Sequence, residues 1–259
     1  MAEIDKWKAY AARLNFPRPE QAEKDYLQEI VLQELYSNNN IIFRGGTAIS
    51  KFYGSGRFSE DLDFITNKNV EALSKIEESV KNIRNYFEME YKAEKYKDMI
   101  EYNIKIEGPL YVTTGHESAR QRIKIDINTY EQTLKKPETI FRTPLYETLR
   151  PYTAVVEKIE ELLADKVKAA IERKEKHKTI FARDIYDVWI ITKKYGLNFD
   201  FQLVEEKMKK YGIKKFNLKD FKECISKTEE FWSDEMSKVM KSFPNYEQVK
   251  KDLIKSINH

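Results

Sequence analysis

The segment Ile41-Ile-Phe-Arg-Gly45-Gly46-Thr47-Ala-Ile-Ser-Lys51-Phe-Tyr53-Gly54-Ser-Gly56-Arg57-Phe-Ser59-Glu-Asp61-Leu-Asp63-Phe-Ile-Thr66 carries four of the chain's eight glycines. Its apolar start, Ile41 to Phe43, predicts a buried strand that Gly45-Gly46 ends. Ala48 to Tyr53 predicts a short helix preceded by Thr47, and Gly54 and Gly56 break it. Asp61-Leu62-Asp63-Phe64-Ile65 predicts a second strand with alternating faces.

This order implies a phosphate site facing a metal site. Two glycines let backbone approach a ligand with no side chain in the way. The helix start beyond them offers N–H groups and a positive dipole end to a polyphosphate, with Thr47 placed to cap the helix or touch a phosphate oxygen. Asp61 and Asp63 stand two apart on a strand, so both carboxylates share a face. Paired carboxylates suit a hard cation such as Mg²⁺, with Mn²⁺ as the alternative, whose other positions go to water and phosphate. Lys51, Arg57 and Ser59 are close enough in sequence to add charge or hydrogen bonds. A lone Gly-Gly or a lone Asp-x-Asp would be an ordinary turn or strand edge; the combination in this order is rarer.

Gly45-Gly46-Thr47 followed by Arg57-Phe58-Ser59-Glu60-Asp61-Leu62-Asp63-Phe64 resembles the nucleotidyltransferase signature of the AbiEii/AbiGii toxin family, within the DNA polymerase β-like nucleotidyltransferase superfamily. The resemblance implies an α+β fold: a polymerase β-like domain, a mixed sheet flanked by helices, followed by an α-helical bundle. It also implies an NTP substrate.

Composition sets the outer bounds. The chain has 259 residues, room for two domains or one large one. Its 14 Phe, 16 Tyr and 3 Trp demand a core, while 34% charged residues imply a heavily charged surface. A net charge of +3 permits nucleic-acid binding without requiring it, so any basic surface must be local. The one cysteine, Cys224, excludes an intrachain disulfide and fits a reducing compartment. No apolar run reaches the length of a membrane span, and Met1 to Trp7 lacks an apolar signal core. The expected location is the cytoplasm.

Along the chain, Pro19 opens an amphipathic helix over 19–37. A second helix is expected over 69–86, with Val70, Leu73, Ile76, Val80 and Ile83 at helical spacing. Three strand-like segments follow at 87–96, 102–106 and 120–128. In the last, Ile123, Ile125 and Ile127 point one way and Arg122, Lys124, Asp126 and Asn128 the other. Polymerase β-like enzymes take a third carboxylate from a neighbouring strand as metal ligand or general base, and Asp126 is the candidate here. Arg122 and Lys124 share its face and are placed to meet nucleic-acid backbone or simply to balance charge. Residues 131–153, with Pro137, Pro144 and Pro151, read as a connection, which puts the domain boundary near Arg150: 1–150 and 151–259.

The remainder reads as helical. Ala154 to Arg173 forms one helix whose apolar stripe includes Val155, Val156, Ile159, Leu162, Leu163, Val167 and Ala170, with Lys166 inside the stripe and in need of an anionic partner. Phe181 to Ile191 is apolar nearly all round, so Arg183, Asp184 and Asp187 must be paired. Beyond it three helical patterns are separated near Tyr211-Gly212 and Phe243-Pro244, with Phe231, Trp232 and Met236 as core. His116, His177 and His259 have no zinc-ligand spacing.

Leu163-Ala-Asp-Lys-Val-Lys-Ala-Ala and Ala182-Arg-Asp-Ile-Tyr-Asp-Val also resemble the toxin family, so the likeness spans roughly residues 40 to 195. It implies that Lys166 is the catalytic or phosphate-binding lysine and Asp184 a motif aspartate; whether Asp187 takes part is open. Asp165 and Lys168 stand where Glu and Arg are expected, so pairings made by those neighbours are in question. The expected site is therefore Gly45, Gly46, Thr47, Lys51, Arg57, Ser59 and Lys166 for the nucleotide, with Asp61, Asp63 and Asp126 for metal. Asp184 joins these aspartates and Lys166 in catalysis. The expected reaction is NMP transfer from an NTP to an acceptor hydroxyl, with tRNA 3′ ends as acceptor and a cognate antitoxin as partner. The alternatives are a protein-modifying nucleotidyltransferase, a binding module without turnover, and a glycosyltransferase that uses Asp-x-Asp for a metal–nucleotide-sugar complex.

Overall fold

The computed structural model describes residues 9–10, 12–66, 68–177, 180–210 and 215–258, with backbone only for 176 and 177. Met1 to Trp7, the expected break near Tyr211-Gly212, and His259 lie outside the described residues. The chain divides into two compact units. One comprises Met1–Phe52 and Gly56–Glu157, the other Tyr53–Ser55 and Lys158–His259.

The first unit is built on a seven-stranded mixed sheet. Its elements in order are α1 (Pro19–Asn38), β1 (Ile42–Arg44), α2 (Gly45–Tyr53), β2 (Leu62–Ile65), α3 (Val70–Asn82), β3 (Met89–Lys95), β4 (Met99–Ile106), α4 (Pro109–Thr114), β5 (Gln121–Asn128), β6 (Glu138–Arg142) and β7 (Tyr152–Val156). The strands lie in the order β3-β4-β5-β2-β1-β7-β6. The β1–β7 and β2–β5 pairs are parallel and the rest antiparallel.

Alternation along the strands gives the sheet two different faces. Phe43, Leu62, Phe64, Tyr102, Ile104, Ile123, Ile125, Ile127, Ala154 and Val156 are buried. α1 packs on β5, β7 and α3, and supplies Leu27, Ile30, Val31 and Leu35 at helical spacing. Phe43 and Phe64 stack at 4.9 Å between ring centroids, directly across the β1–β2 pair. The register positions beside these residues carry Arg44, Asp63, Asp126, Lys124 and Glu101, so the opposite face is polar.

Two expectations change here. Residues 131–153 are not a bare connection: they hold β6 and the start of β7. Val155 and Val156 belong to β7 rather than to the following helix, because parallel pairing with Ile42 and Phe43 captures these β-branched residues. The Glu157 N–H continues the ladder to the Phe43 carbonyl at 2.9 Å. The first unit therefore runs past Arg150 to Glu157.

The second unit contains α5 (Ile159–His177), α6 (Ala182–Tyr195), α7 (Phe201–Lys210), α8 (Leu218–Lys227), α9 (Trp232–Ser237) and α10 (Tyr246–Ile257), with no strand among its described residues. α5 packs against α6, α7 and α8. Trp232 and Met236 are core, but Phe231 is 45% exposed and is not. The Tyr53–Ser55 peptide is tied to α6: the Tyr186 hydroxyl donates to the Ser55 carbonyl at 2.6 Å, and Lys194 to the Tyr53 carbonyl at 2.9 Å.

A buried ionic cluster holds α1, α2 and β6 together. Glu29 is fully buried and meets Lys51 Nζ at 3.2 Å, Arg142 Nη2 at 2.6 Å and the Tyr152 hydroxyl at 2.8 Å. Burial pushes the Glu29 carboxyl up, but Lys51 and Arg142 outweigh burial and hold it at about 2, against an ordinary 4.5. Its folded pKa is depressed, so its contribution is complete above pH 4.5 and is lost as pH falls toward 2. Unfolding free energy by urea titration should decline across that window, and the decline should shrink in Glu29→Gln. Lys51→Met, which leaves two carboxylates short of a cation, should cost about 3–5 kcal/mol at pH 7 in the same titration.

Candidate active site

β1 ends at Arg44, and Gly45, with φ of +75°, opens α2 at once. Both glycines and Thr47 thus form the first turn of the helix, not a turn ahead of a helix beginning at Ala48. The left-handed backbone at Gly45 lets the chain leave a strand and enter a helix with no loop between. A Cβ on Gly45 would overlap Asp63 Oδ2, and one on Gly46 would stand 2.7 Å from Arg57 Nη2 and 2.9 Å from Ser59 Oγ. The N-terminal turn of α2, the positive end of its dipole, is seated directly on Asp63, Arg57 and Ser59.

Side chains from two helices pin the loop that leads to the aspartates. The Thr47 hydroxyl, buried, donates to the Asp61 carbonyl at 2.5 Å. Ser50 donates to the Arg57 carbonyl at 2.7 Å. Gln28 of α1 donates its amide to the Ser59 and Glu60 carbonyls at 3.0 and 2.7 Å. Arg57 is only 2% exposed, and its Nη1 donates to the Phe58 carbonyl at 2.9 Å, so this guanidinium braces the turn from within.

The sheet register supplies the third carboxylate. Asp63 has Arg44 as its neighbour on β1 and Asp126 on β5, all on the polar face. Asp126 Oδ2 lies 3.0 Å from Lys124 Nζ, which also lies 2.9 Å from Glu101. Burial works against the Lys124 ammonium, but Glu101 and Asp126 hold its pKa above the ordinary lysine range, so it stays charged. Asp126 Oδ1 is buried with no hydrogen-bond partner among the described residues. A buried carboxylate oxygen without a donor is costly and is the kind of atom a cation or a proton would satisfy.

Among the described residues no three His, Cys, Asp or Glu side chains form a cluster able to hold a metal. Asp61, Asp63 and Asp126 are therefore not a preformed cage. Asp61 lies just ahead of β2 and is exposed, while Asp126 leans on Lys124. The donor set nonetheless fits Mg²⁺, which commonly takes one or two carboxylates and fills its shell with water and substrate phosphates.

Lys51, expected at the nucleotide, is placed elsewhere. Its buried ammonium is 2.6 Å from Asp25 and 3.2 Å from Glu29.

In the second unit, Lys166 of α5 lies 3.0 Å from Asp184 and 2.9 Å from Asp187 of α6. Both aspartates are buried, and Arg173 is also ion-paired to Asp184. The expectation that Lys166 needs an anion and that the α6 aspartates are paired is met by one cluster. Arg183 is not part of it: this residue is exposed and lies over the Phe181 ring at 4.9 Å. Asp165 pairs with Lys207 at 3.0 Å and Lys168 at 3.5 Å, which accounts for the substituted neighbours of Lys166.

The structure gathers Gly45, Gly46, Thr47, Arg57, Ser59, Asp61, Asp63 and Asp126 in the first unit, and Lys166 with Asp184 and Asp187 in the second. Sequence reasoning missed Gln28 and Arg173; of the two roles it left open for Lys124, nucleic-acid contact or charge balance, the pairing with Glu101 and Asp126 is charge balance. A glutamine on the apolar stripe of α1 was the available signal for Gln28; nothing local marks Arg173, whose partner arrives from another helix.

The chain matches the nucleotidyl transferase AbiEii toxin family, type IV toxin–antitoxin system, over residues 25–251. No curated protein matches it by sequence. Among solved structures it is similar to JHP933 from Helicobacter pylori, with TM-score 0.61 and 19% identity over 92% of this chain and 90% of that one. It is similar also to a candidate nucleotidyltransferase from the same organism, with TM-score 0.61 and 19% identity over 91% and 92% of the two chains. At that identity these likenesses speak for the fold alone. The match to the family covers most of the chain: the protein is a nucleotidyltransferase belonging to the AbiEii toxin family of type IV toxin–antitoxin systems.

Proposed function

We propose that this nucleotidyltransferase is Mg²⁺-dependent and transfers NMP from an NTP to the 3′-terminal hydroxyl of tRNA. The observation that carries the reading is the seat of Gly45 and Gly46 against Asp63, Arg57 and Ser59, where no side chain fits. A helix N-terminus with its backbone bared suits a triphosphate, and a carboxylate in contact with it suits the cation that a triphosphate brings. Asp61 and Asp63 would hold Mg²⁺, which when bound supplies Lewis-acid polarisation of the phosphates and charge balance for the leaving group. A glycosyltransferase would have less use for a helix start packed on the aspartates.

The chain's own groups then have distinct tasks. The N–H groups at the start of α2 and Ser59 orient the phosphates, and buried Arg57 keeps that turn rigid. The acceptor oxygen forms a bond to the α-phosphorus, and the bond from that phosphorus to the bridging oxygen breaks to release pyrophosphate. Asp126 Oδ1, which has no donor among the described residues, is placed to take the proton from the acceptor hydroxyl; were it to serve as a metal ligand instead, that proton would pass to solvent. Lys166 is proposed to neutralise phosphate charge, with Asp184 and Asp187 orienting its ammonium. The family implies a cognate antitoxin, and a tRNA acceptor together with the lone unbridged Cys224 supports a cytoplasmic protein.

Label from α-labelled NTPs, supplied one base at a time with total tRNA and Mg²⁺, should appear on tRNA. Asp63→Asn should reduce that transfer by about 10³-fold or more with its thermal melt little changed. Label on protein instead would move the acceptor to a polypeptide, and Mg²⁺-dependent NTP binding with no transfer would leave a binding module. Gly45→Ala should cost about 1–2 kcal/mol from its left-handed backbone, yet lose nearly all transfer because the new Cβ displaces Asp63. Lys166→Met should destabilise by about 3–5 kcal/mol by leaving Asp184 and Asp187 short of a cation. Transfer assayed well below its melting temperature separates a chemical role, with activity still lost, from a structural one.

A further inference from the structure

The polar face of β5 continues from Asp126 through Lys124 to Arg122, and at Arg122 it opens into a cleft of about 550 Å³. Lys24, Lys105, Glu117, Arg120, Gln121 and Arg122 are among its lining residues, four cations against one carboxylate. Arg122 lies four residues from Asp126, about 13 Å at roughly 3.3 Å per residue.

The charges in the cleft are arranged at a cost. Lys105 and Arg122 are directly opposed across the β4–β5 pair, and like charges in that position repel. Glu117 pairs with Lys105 and, at 3.2 Å, with Arg120, which Glu107 also engages. The side chains of Lys24 and Arg122 make no hydrogen bond or ion pair among the described residues. The wall is nevertheless fixed: Gln121 donates to buried Glu23 at 2.6 Å and to the Glu20 carbonyl at 3.1 Å. A rigid cleft in which Lys24 and Arg122 are unspent, and in which Glu117 offsets only Lys105 of the opposed Lys105–Arg122 pair, is built for an anion carrying more than one charge.

We infer that this cleft holds backbone phosphates of a single-stranded polynucleotide acceptor, a few nucleotides back from the end presented at Asp63 and Asp126. The inference rests on the nucleotidyl-transfer reading for its substrate class, while its geometry is independent of it. Extended nucleic acid presents its phosphates outward at regular intervals, which matches cations spread over α1, β4 and β5 better than the clustered charges of a free nucleotide would.

Binding of a 12-nucleotide fluorescein-labelled single-stranded RNA to the full chain, followed by anisotropy from 50 to 300 mM KCl, tests this. The double variant Lys24→Ala/Arg122→Ala should weaken RNA binding by about tenfold or more. It should also lower the slope of log K against log salt by about 1.4, from two lost contacts at about 0.7 each. Its melt and its Mg²⁺-dependent NTP binding should be unchanged, since neither side chain bonds to any described residue. Equal effects with single-stranded DNA would assign the cleft to phosphate alone, and a larger effect with RNA would add the ribose. Unchanged RNA affinity and slope in the variant would overturn the inference, as would polyglutamate displacing RNA equally from both proteins. A wild-type chain that transfers no label but shows the variant effect would fail the transfer reading and keep the cleft. Transfer at an unaltered RNA KM in the variant would do the reverse.

Discussion

The left-handed backbone of Gly45 is the constraint on which the first unit depends. It allows a strand of three residues to pass straight into a helix, so the helix start is fixed by the sheet rather than by a loop. It also brings backbone into the space where a side chain would meet Asp63. In the proposed reaction, phosphate recognition and metal recognition, chemically separate tasks, would share one piece of rigid geometry. The surrounding polar contacts serve that geometry. Thr47, Ser50 and Gln28 all bond to carbonyls of the 57–61 segment, so the loop between α2 and β2 has little freedom although it has no regular structure.

Charge is handled differently in the two units. In the first, Glu29 is buried with two cations and holds helices to the sheet, while Asp126 is left with an oxygen that no described residue satisfies. One arrangement is closed and structural, the other open. In the second, Lys166 has two carboxylates within 3.0 Å, and one of these is shared with Arg173. That cluster is closed on itself at rest, which explains how a lysine can sit on an apolar helical stripe without unfolding the helix.

Much of this was legible in the sequence because the governing rules are local. Alternation placed Asp63 and Asp126 on polar strand positions, with Asp61 one residue ahead of its strand, and the Gly-Gly-Thr signal located the helix start to within three residues. What escaped was set by partners far away along the chain. Lys51 looked available beside the glycines, but α1 brings Asp25 and Glu29 to it across more than twenty residues. Val155 and Val156 fitted a helical stripe equally well, and only the free edge of β1 decides that they form a strand. Residues 131–153 looked structureless because proline spacing hid two short strands whose hydrogen bonds come from each other and from β1.

The three residues Tyr53–Ser55 belong with a unit whose remaining chain begins only at Lys158. Their carbonyls are bonded by Tyr186, Lys194 and Tyr195 of α6. Neither unit is therefore a contiguous stretch of gene. A recombination event that exchanged everything after Glu157 would import an α6 fitted to a different peptide between Phe52 and Gly56. The two halves must be inherited together, and substitutions on α6 are answerable to a tripeptide encoded more than a hundred codons upstream.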